Sequence, residues 1–494
     1  MPKTVYCDGT IDQIKAAVAQ IDTDPQKEGD IILNEGDWQW TVGDISPVIP
    51  PLHGGIRLLA TGYPLDAGTN RNPKTWKTSI TVLNDFHNGD WRNVDELVEG
   101  ANALSKAVSL GFHGSLLSFM GYTNGPYKKP IELSGIKFKA YIDDIENAQV
   151  GVDLSGIPEF RIHHCRFENF AGQGIGFGGN GIGWGSRGVM DHCEITNPYK
   201  DTYGLNNVKT PAWDQGPDHG ATAQPPCLRG RSGSFHGADK QWAYGLIVAN
   251  AYYWQDYRNC LGKFQDTPLS ISEPSLPAQA GVEPTVVYIE DCWINKCRHH
   301  TASGGMGPIY VLRHSIIEDC VVDWYSSLID AHAGGLLTEI YENEIVGLPS
   351  DERSETNPDG TIDTAYLGHK LTRGVHIRGG AAMVWGNRIS GCNTAVNFVS
   401  DMGQSSILAS KGCYCWANIY ANNNVDLNKS NTNPSQPRLD IDFFERAPNQ
   451  AQDGFTYIPY VYPHPLVSGV QPPTRPRLSI DSIPIKANFT LTQL

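Results

Sequence analysis

Apolar residues in this chain recur as a short phrase, not as a long stripe. The phrase runs apolar, any, polar, small or amide, any, apolar. It reads Ile162-His163-His164-Cys165-Arg166-Phe167, Met190-Asp191-His192-Cys193-Glu194-Ile195 and Ile289-Glu290-Asp291-Cys292-Trp293-Ile294. It returns as Leu312-Arg313-His314-Ser315-Ile316-Ile317, Ile340-Tyr341-Glu342-Asn343-Glu344-Ile345 and Val384-Trp385-Gly386-Asn387-Arg388-Ile389, with a weaker early copy at Leu133–Phe138. Alternation at period two, bounded by Gly, Asn and Asp, predicts short strands and excludes an amphipathic helix.

The fourth position of the phrase is Ile136, Cys165, Cys193, Cys292, Ser315, Asn343 and Asn387, at spacings of 29, 28, 99, 23, 28 and 44 residues. A coil of three short strands with turns takes roughly 20–30 residues, so the spacing predicts a stacked solenoid, with insertions where a gap is longer. The longest insertion is expected near 199–284 and a second near 348–372. Small and amide side chains stacked at one inward turn can hydrogen-bond along the stack, which explains Cys, Ser and Asn there. The segment Ile11–Ile21 has helical spacing (Ile11, Ile14, Ala17, Val18, Ile21). It is expected to cap the first coil, whose apolar end and strand edges need cover. After residue 425 the phrase is lost, and 426–494 reads as an extended tail packed on the solenoid.

On these residues the chain resembles the pectate-lyase-like right-handed parallel β-helix superfamily, over about residues 30–425. The resemblance implies an all-β solenoid, a short N-terminal capping helix, and polysaccharide bound along one outer strand face. It departs from the best-known pectate lyases, having no counterpart of their aspartate cluster for calcium and only a loose one, Leu328–His332, of their WiDH segment. Nor does it carry the NTD, DD and RIK motifs of polygalacturonase-like hydrolases.

The strand that follows the phrase is the expected ligand face. If Ile175, Ile329, Val375, Ile377, Val396 and Phe398 point inward, then Gly176, Asp330, His376, Arg378 and Asn397 point outward, with His332 beside Asp330. One coil earlier, Arg298 and His300 (or His299) share that face. Six of the 15 histidines fall within residues 296–378, and histidine titrates near neutrality. The candidate catalytic set is therefore Asp330, His332, His376, Arg378 and His300. Arg298, Arg313, Arg373 and Asn397 are candidate sugar contacts, since arginine matches a uronate carboxylate with two parallel bonds. Tyr253 and Trp254 are candidate stacking platforms. Asp330 would be the group to bind Ca²⁺ if a metal takes part. The outward row of the phrase itself (His163, Asp191, Glu290, Arg313, Tyr341, Trp385) reads as a solvated or insertion-covered face. Adjacent His163-His164 with His192 gives only weak support for a metal.

A single carboxylate among basic groups favours β-elimination at a uronate-containing chain over hydrolysis, which needs two carboxylates. A glycoside hydrolase and a non-catalytic glycan-binding or phage tail-type solenoid stand as alternatives. The 494-residue chain has a net charge of −15, which disfavours nucleic acid. No apolar stretch reaches membrane-spanning length. The partner expected is a polysaccharide, for a monomer or homotrimer. The N-terminus has no basic start and apolar core of a leader, so either the protein is cytosolic when made or a leader was removed; the location expected is extracellular or secreted, with a virion-associated one as the alternative. Eleven scattered cysteines read as buried packing more than as a disulfide framework.

Overall fold

The computed structural model describes residues 3–40, 48–49, 55–68, 76–82, 115–120, 131–140, 150–155, 157, 159–168, 170, 173–180, 186, 188–196, 244–251, 286–295, 297, 302–304, 309–318, 320, 322, 335–347, 355–356, 362–363, 373–377, 380–399, 410–430, 443–453, 457 and 459–469. Among these, strands stack into a 12-stranded sheet, a 10-stranded sheet, and a third face made of a 6-stranded and a 3-stranded sheet. Every pairing in them is parallel; the sole antiparallel pair among the described residues is the small hairpin Glu355–Thr356 with Ile362–Asp363. The fold is a right-handed parallel β-helix.

From the strand Ile131–Ser134 onward, each coil passes from the long sheet through a two-residue corner into the 10-stranded sheet. At that corner one residue adopts left-handed backbone: His164, His192, Asp291, His314 and Glu342 at φ 50–55°, Gly135 at 76° and Gly386 at 66°. The next residue is the inward fourth position of the phrase. Asn343 Oδ1 accepts from Ser315 N at 3.0 Å, and Asn343 Nδ2 donates to Leu312 O at 2.9 Å and Asn387 Oδ1 at 3.0 Å. Asn418 continues the ladder, its Oδ1 accepting from Asn387 Nδ2 at 2.9 Å. Upstream, Cys165, Cys193 and Cys292 fill the same slot, fully buried. All nine described cysteines are buried free thiols.

Helix α1 (Ile11–Asp22) buries Ile11, Ile14, Ala17, Val18 and Ile21 against the first coil. Two boundaries move. The stretch expected as one insertion at 199–284 contains Tyr244–Ala251, a regular strand between Gln173–Asn180 and Ala302–Gly304 on the third face. The solenoid also runs past 425, because Val425–Ser430 pairs with Thr394–Val399. Beyond it lie the strand Phe443–Phe444 on the long sheet and the short helices α2 (Gln450–Asp453) and α3 (Pro465–Ser468).

Candidate functional site

On the third face, strand alternation sorts the residues as their types demand. Val375, Ile377, Val396 and Phe398 are fully buried in the core, so His376 and Asn397 between them point away from it. Their register is His376 beside Asn397 beside Asn428. Asn428 Nδ2 donates to Asn397 Oδ1 at 2.8 Å, and Asn397 Nδ2 lies 2.8 Å from His376 Nδ1. An amide nitrogen can only donate, so His376 Nδ1 accepts, and a neutral His376 must carry its proton on Nε2. The amide row therefore fixes one tautomer, a proton donor at Nε2. His376 is only 2% exposed and Asn397 6%.

From the coil before this row, the described contact is at Val322. Val322 pairs with Val375, donating its N–H to Gly374 O at 2.8 Å and accepting from His376 N at 2.9 Å. Ile329, which the sequence spacing set at this register, lies outside the described residues. Asp330, His332, Arg378, Arg298, His300, Tyr253 and Trp254 lie outside the described residues; Arg373 is described in its backbone alone, at the start of the strand Arg373–Ile377.

Arg313 is also corrected as a sugar contact. It is 0% exposed. Its guanidinium donates to Glu290 Oε2 from Nε at 2.9 Å and Nη2 at 2.6 Å, to Tyr341 OH at 2.9 Å, and to the carbonyls of Tyr460 and Val461 at 2.8 and 2.9 Å. What covers this row is the C-terminal segment. His464 N donates to Glu290 Oε1 at 2.9 Å, Tyr462 OH to Asp291 Oδ1 at 2.7 Å, and Tyr457 OH to Glu339 Oε2 at 2.6 Å. Leu466 and Val467 pack against the cluster of Val189, Tyr288, Val311 and Tyr341. Burial pushes Glu290 and Asp291 above the ordinary carboxylate range, although Arg313 and Tyr462 pull the other way. Burial, helped by the Arg313 charge, drives both His314 and His464 down to about 4.

The same outward face is half open toward the N-terminal coils. There Asp30, Arg57, Glu132 and Arg161 stand at successive register positions. Arg57 donates to both oxygens of Asp30, and Arg161 to both oxygens of Asp191 at 2.9 and 3.0 Å. His163 Nε2 meets Glu132 Oε1 at 2.9 Å, and His192 Nδ1 meets Asp191 Oδ2 at 3.0 Å. The His192 bond to Asp191 raises the His192 pKa. Burial would raise Asp191, but that bond and Arg161 outweigh it and hold the carboxyl low. His164 is pressed down to about 4 by burial and by the neighbouring His163 and His192. Sequence reasoning saw these histidines only as a weak metal reading, and among the described residues no group of three or more candidate ligands could hold an ion. The signal that marks them is their recurrence at and beside the left-handed corner.

No family model matches the chain, and no curated protein does. Among solved structures it is similar to ORF18 of Geobacillus virus E2, at 9% identity and TM-score 0.26; the match covers 82% of this chain but 53% of that one, about half its length. It is similar to a variant of DFA-IIIase from Arthrobacter chlorophenolicus A6 in complex with DFA-III, at 8% identity and TM-score 0.33, over 83% of this chain and 79% of that one. It is also similar to the A-module of the Azotobacter vinelandii mannuronan C-5 epimerase AlgE4, at 9% identity and TM-score 0.30, over 87% and 96% of the two chains.

Proposed function

We propose that this chain is a carbohydrate-active β-helix that cleaves a uronate-containing polysaccharide by β-elimination on its third face. The observation that supports the reading is the outward His376 whose Nδ1 accepts from Asn397. A base removes the proton on the carbon beside the uronate carboxylate. His376 Nε2–H then donates to the departing glycosidic oxygen, and a C4=C5 double bond remains. A positioned acid of this kind contributes on the order of 10²–10⁴-fold. Burial of His376 keeps bulk water from that proton. Arg378, Arg373 and Arg298 are the proposed partners of the uronate carboxylate, and Asp330, His332 and His300 the proposed base and its support. Asn397, Tyr253 and Trp254 complete the proposed sugar contacts. Ca²⁺ would act by neutralising the same carboxylate.

The test is incubation with a panel of neutral and uronate polysaccharides, with and without Ca²⁺, reading ultraviolet absorbance of unsaturated ends together with reducing ends. Absorbance rising with reducing ends supports elimination. Reducing ends without absorbance would make the protein a hydrolase, and silence across the panel would leave a binding solenoid.

A further inference from the structure

The C-terminal segment crosses the outer face of the long sheet coil by coil, toward the N-terminal end. Tyr457 bonds to Glu339 and lies edge-on to Trp385 and Trp416. The carbonyls of Tyr460 and Val461 meet Arg313, and the His464 amide meets Glu290 one coil nearer the N-terminal end. Leu466 and Val467 pack on the cluster that contains Val189, a coil further again. Every second residue faces the sheet: Tyr460 and His464 lie on Tyr288, and Tyr462 between them lies on His314. The described segment ends at Gly469, with residues 470–494 still to follow.

Ahead of it on the same sheet lie the strands Phe160–His163, Ile131–Ser134, Gly55–Ala60, Glu28–Leu33 and Lys3–Cys7. In the last three, Tyr6, Ile32 and Leu59 stand in one register. Their chain neighbours Cys7, Ile31, Leu33, Leu58 and Ala60 fill the core, so these three side chains point outward. Tyr6 is 71% exposed, and Ile32 and Leu59 are half-buried. The outward row beside them is charged, with Asp30, Arg57 and Glu132 in register. A single exposed apolar residue is ordinary, but three in line on successive coils, about 4.8 Å apart, form a stripe that marks a contact surface.

We infer that residues 478–494 of the same chain dock on the Tyr6–Ile32–Leu59 stripe, so that the C-terminal segment ties the last coils of the solenoid to the first. Three features of this chain select that occupant. The segment already runs along this face and leaves it heading for the stripe. Its remaining length suffices: the strands ahead span roughly 24 Å at ~4.8 Å per coil, whereas residues 470–494 reach on the order of 80 Å when extended. Its pattern also fits. Ile483, Ile485, Ala487, Phe489 and Leu491 fall at every second position, with proline or polar residues between, which is the period of an extended chain with one apolar side. Over the charged middle coils the same every-second-residue contact is made by polar-tipped rings; over the apolar stripe it is made by aliphatic and aromatic side chains. Charge favours the approach as well, since Arg475, Arg477 and Lys486 outnumber Asp481 in a chain of net charge −15. The docking is independent of the chemistry proposed for the third face.

Photocrosslinking of the full chain, with Tyr6 replaced by benzoyl-phenylalanine, tests this, the joined peptide being read by mass spectrometry. The expected product has the mass of one chain and joins position 6 to a peptide within 478–494. A product of twice that mass would give the stripe to a second copy and overturn the inference, as would a join to any other peptide or none. Cleavage after Phe489 by a protease specific for aromatic residues gives a second reading. It should be slow in the wild type and rise about tenfold or more in Leu59→Asp, while cleavage after Tyr460 stays at the wild-type rate and reports an intact solenoid. Tyr6→Asp changes a side chain that lies mostly in solvent, so it leaves the fold intact and should act in the same direction. Equal cleavage after Phe489 in the wild type and both variants would overturn the docking.

Discussion

Replacing Arg313 by Ala should release the C-terminal segment while leaving the solenoid folded. Arg313 and Glu290 are both fully buried, and the guanidinium makes five hydrogen bonds, two of them to segment carbonyls. Deleting it leaves Glu290 buried opposite no cation, a change that costs about 3–5 kcal/mol. The freed carbonyls of Tyr460 and Val461 add about 1 kcal/mol each where water does not replace the donor. Coils of a solenoid are stabilised by their neighbours, so this loss falls on the segment that depends on the clamp and less on the stack. At about 1.4 kcal/mol per tenfold, even the low end raises the open population of the segment about 100-fold. The assay is limited proteolysis with a protease that cuts after aromatic residues, following cleavage at Tyr457, Tyr460 and Tyr462. Arg313→Met with Glu290→Met should recover much of the resistance, because the stranded carboxylate is removed with its partner. A single Arg313→Ala variant that is cleaved within about threefold of the wild-type rate would refute the clamp.

Asn343→Ala should cost about 2–4 kcal/mol in denaturant unfolding, since it strands Ser315 N and Leu312 O inside the corner. Asn343→Ser should recover part of that, because Ser315 fills the same slot one coil earlier; equal losses for the two would contradict the ladder. His164, His314 and His464 have folded pKa values near 4, below the ordinary 6.5. A depressed histidine pKa means that the folded state resists protonation, so stability is full above about 6.5 and is lost as pH falls toward 4, by at most about 3 kcal/mol per ring. Glu290 and Asp291, with raised values, act in the opposite sense. Melting temperature should therefore fall across that window, and His464→Gln should flatten the fall; a flat wild-type profile would exclude the histidine contribution. Gly188→Ala should destabilise sharply, because φ is +152° and a Cβ would sit 2.1 Å from Phe160 O; an unchanged melting temperature would show that the strand relaxes there.

The solenoid was legible because its cause repeats. Each coil needs an inward small or amide residue beside a left-handed corner, and both recur at the same place in the phrase. The capping helix was legible for a similar reason: Ile11, Ile14, Ala17, Val18 and Ile21 lie on one helical stripe and are the residues it buries. Alternation also placed His376 and Asn397 correctly opposite Val375 and Val396. The pairing of Val322 with Val375 was not legible, because counting residues from the phrase assumes turns of similar length and Val322 lies outside any copy of the phrase. Arg313 looked like a free cation because its partners Tyr460 and Val461 are 147 and 148 residues away and carry no periodic signal. The partner of the His164 ring required coordinates, since the Leu65 carbonyl is a backbone atom 99 residues from it.

The central claim is that His376 supplies the proton for bond cleavage on the third face. The measurement that tests it most directly is the initial rate of double-bond formation by wild type, His376→Ala and Arg313→Ala on a uronate polysaccharide. The account predicts that His376→Ala loses on the order of 10²-fold or more while Arg313→Ala stays near wild type. A His376→Ala variant that forms unsaturated ends at the wild-type rate would contradict it.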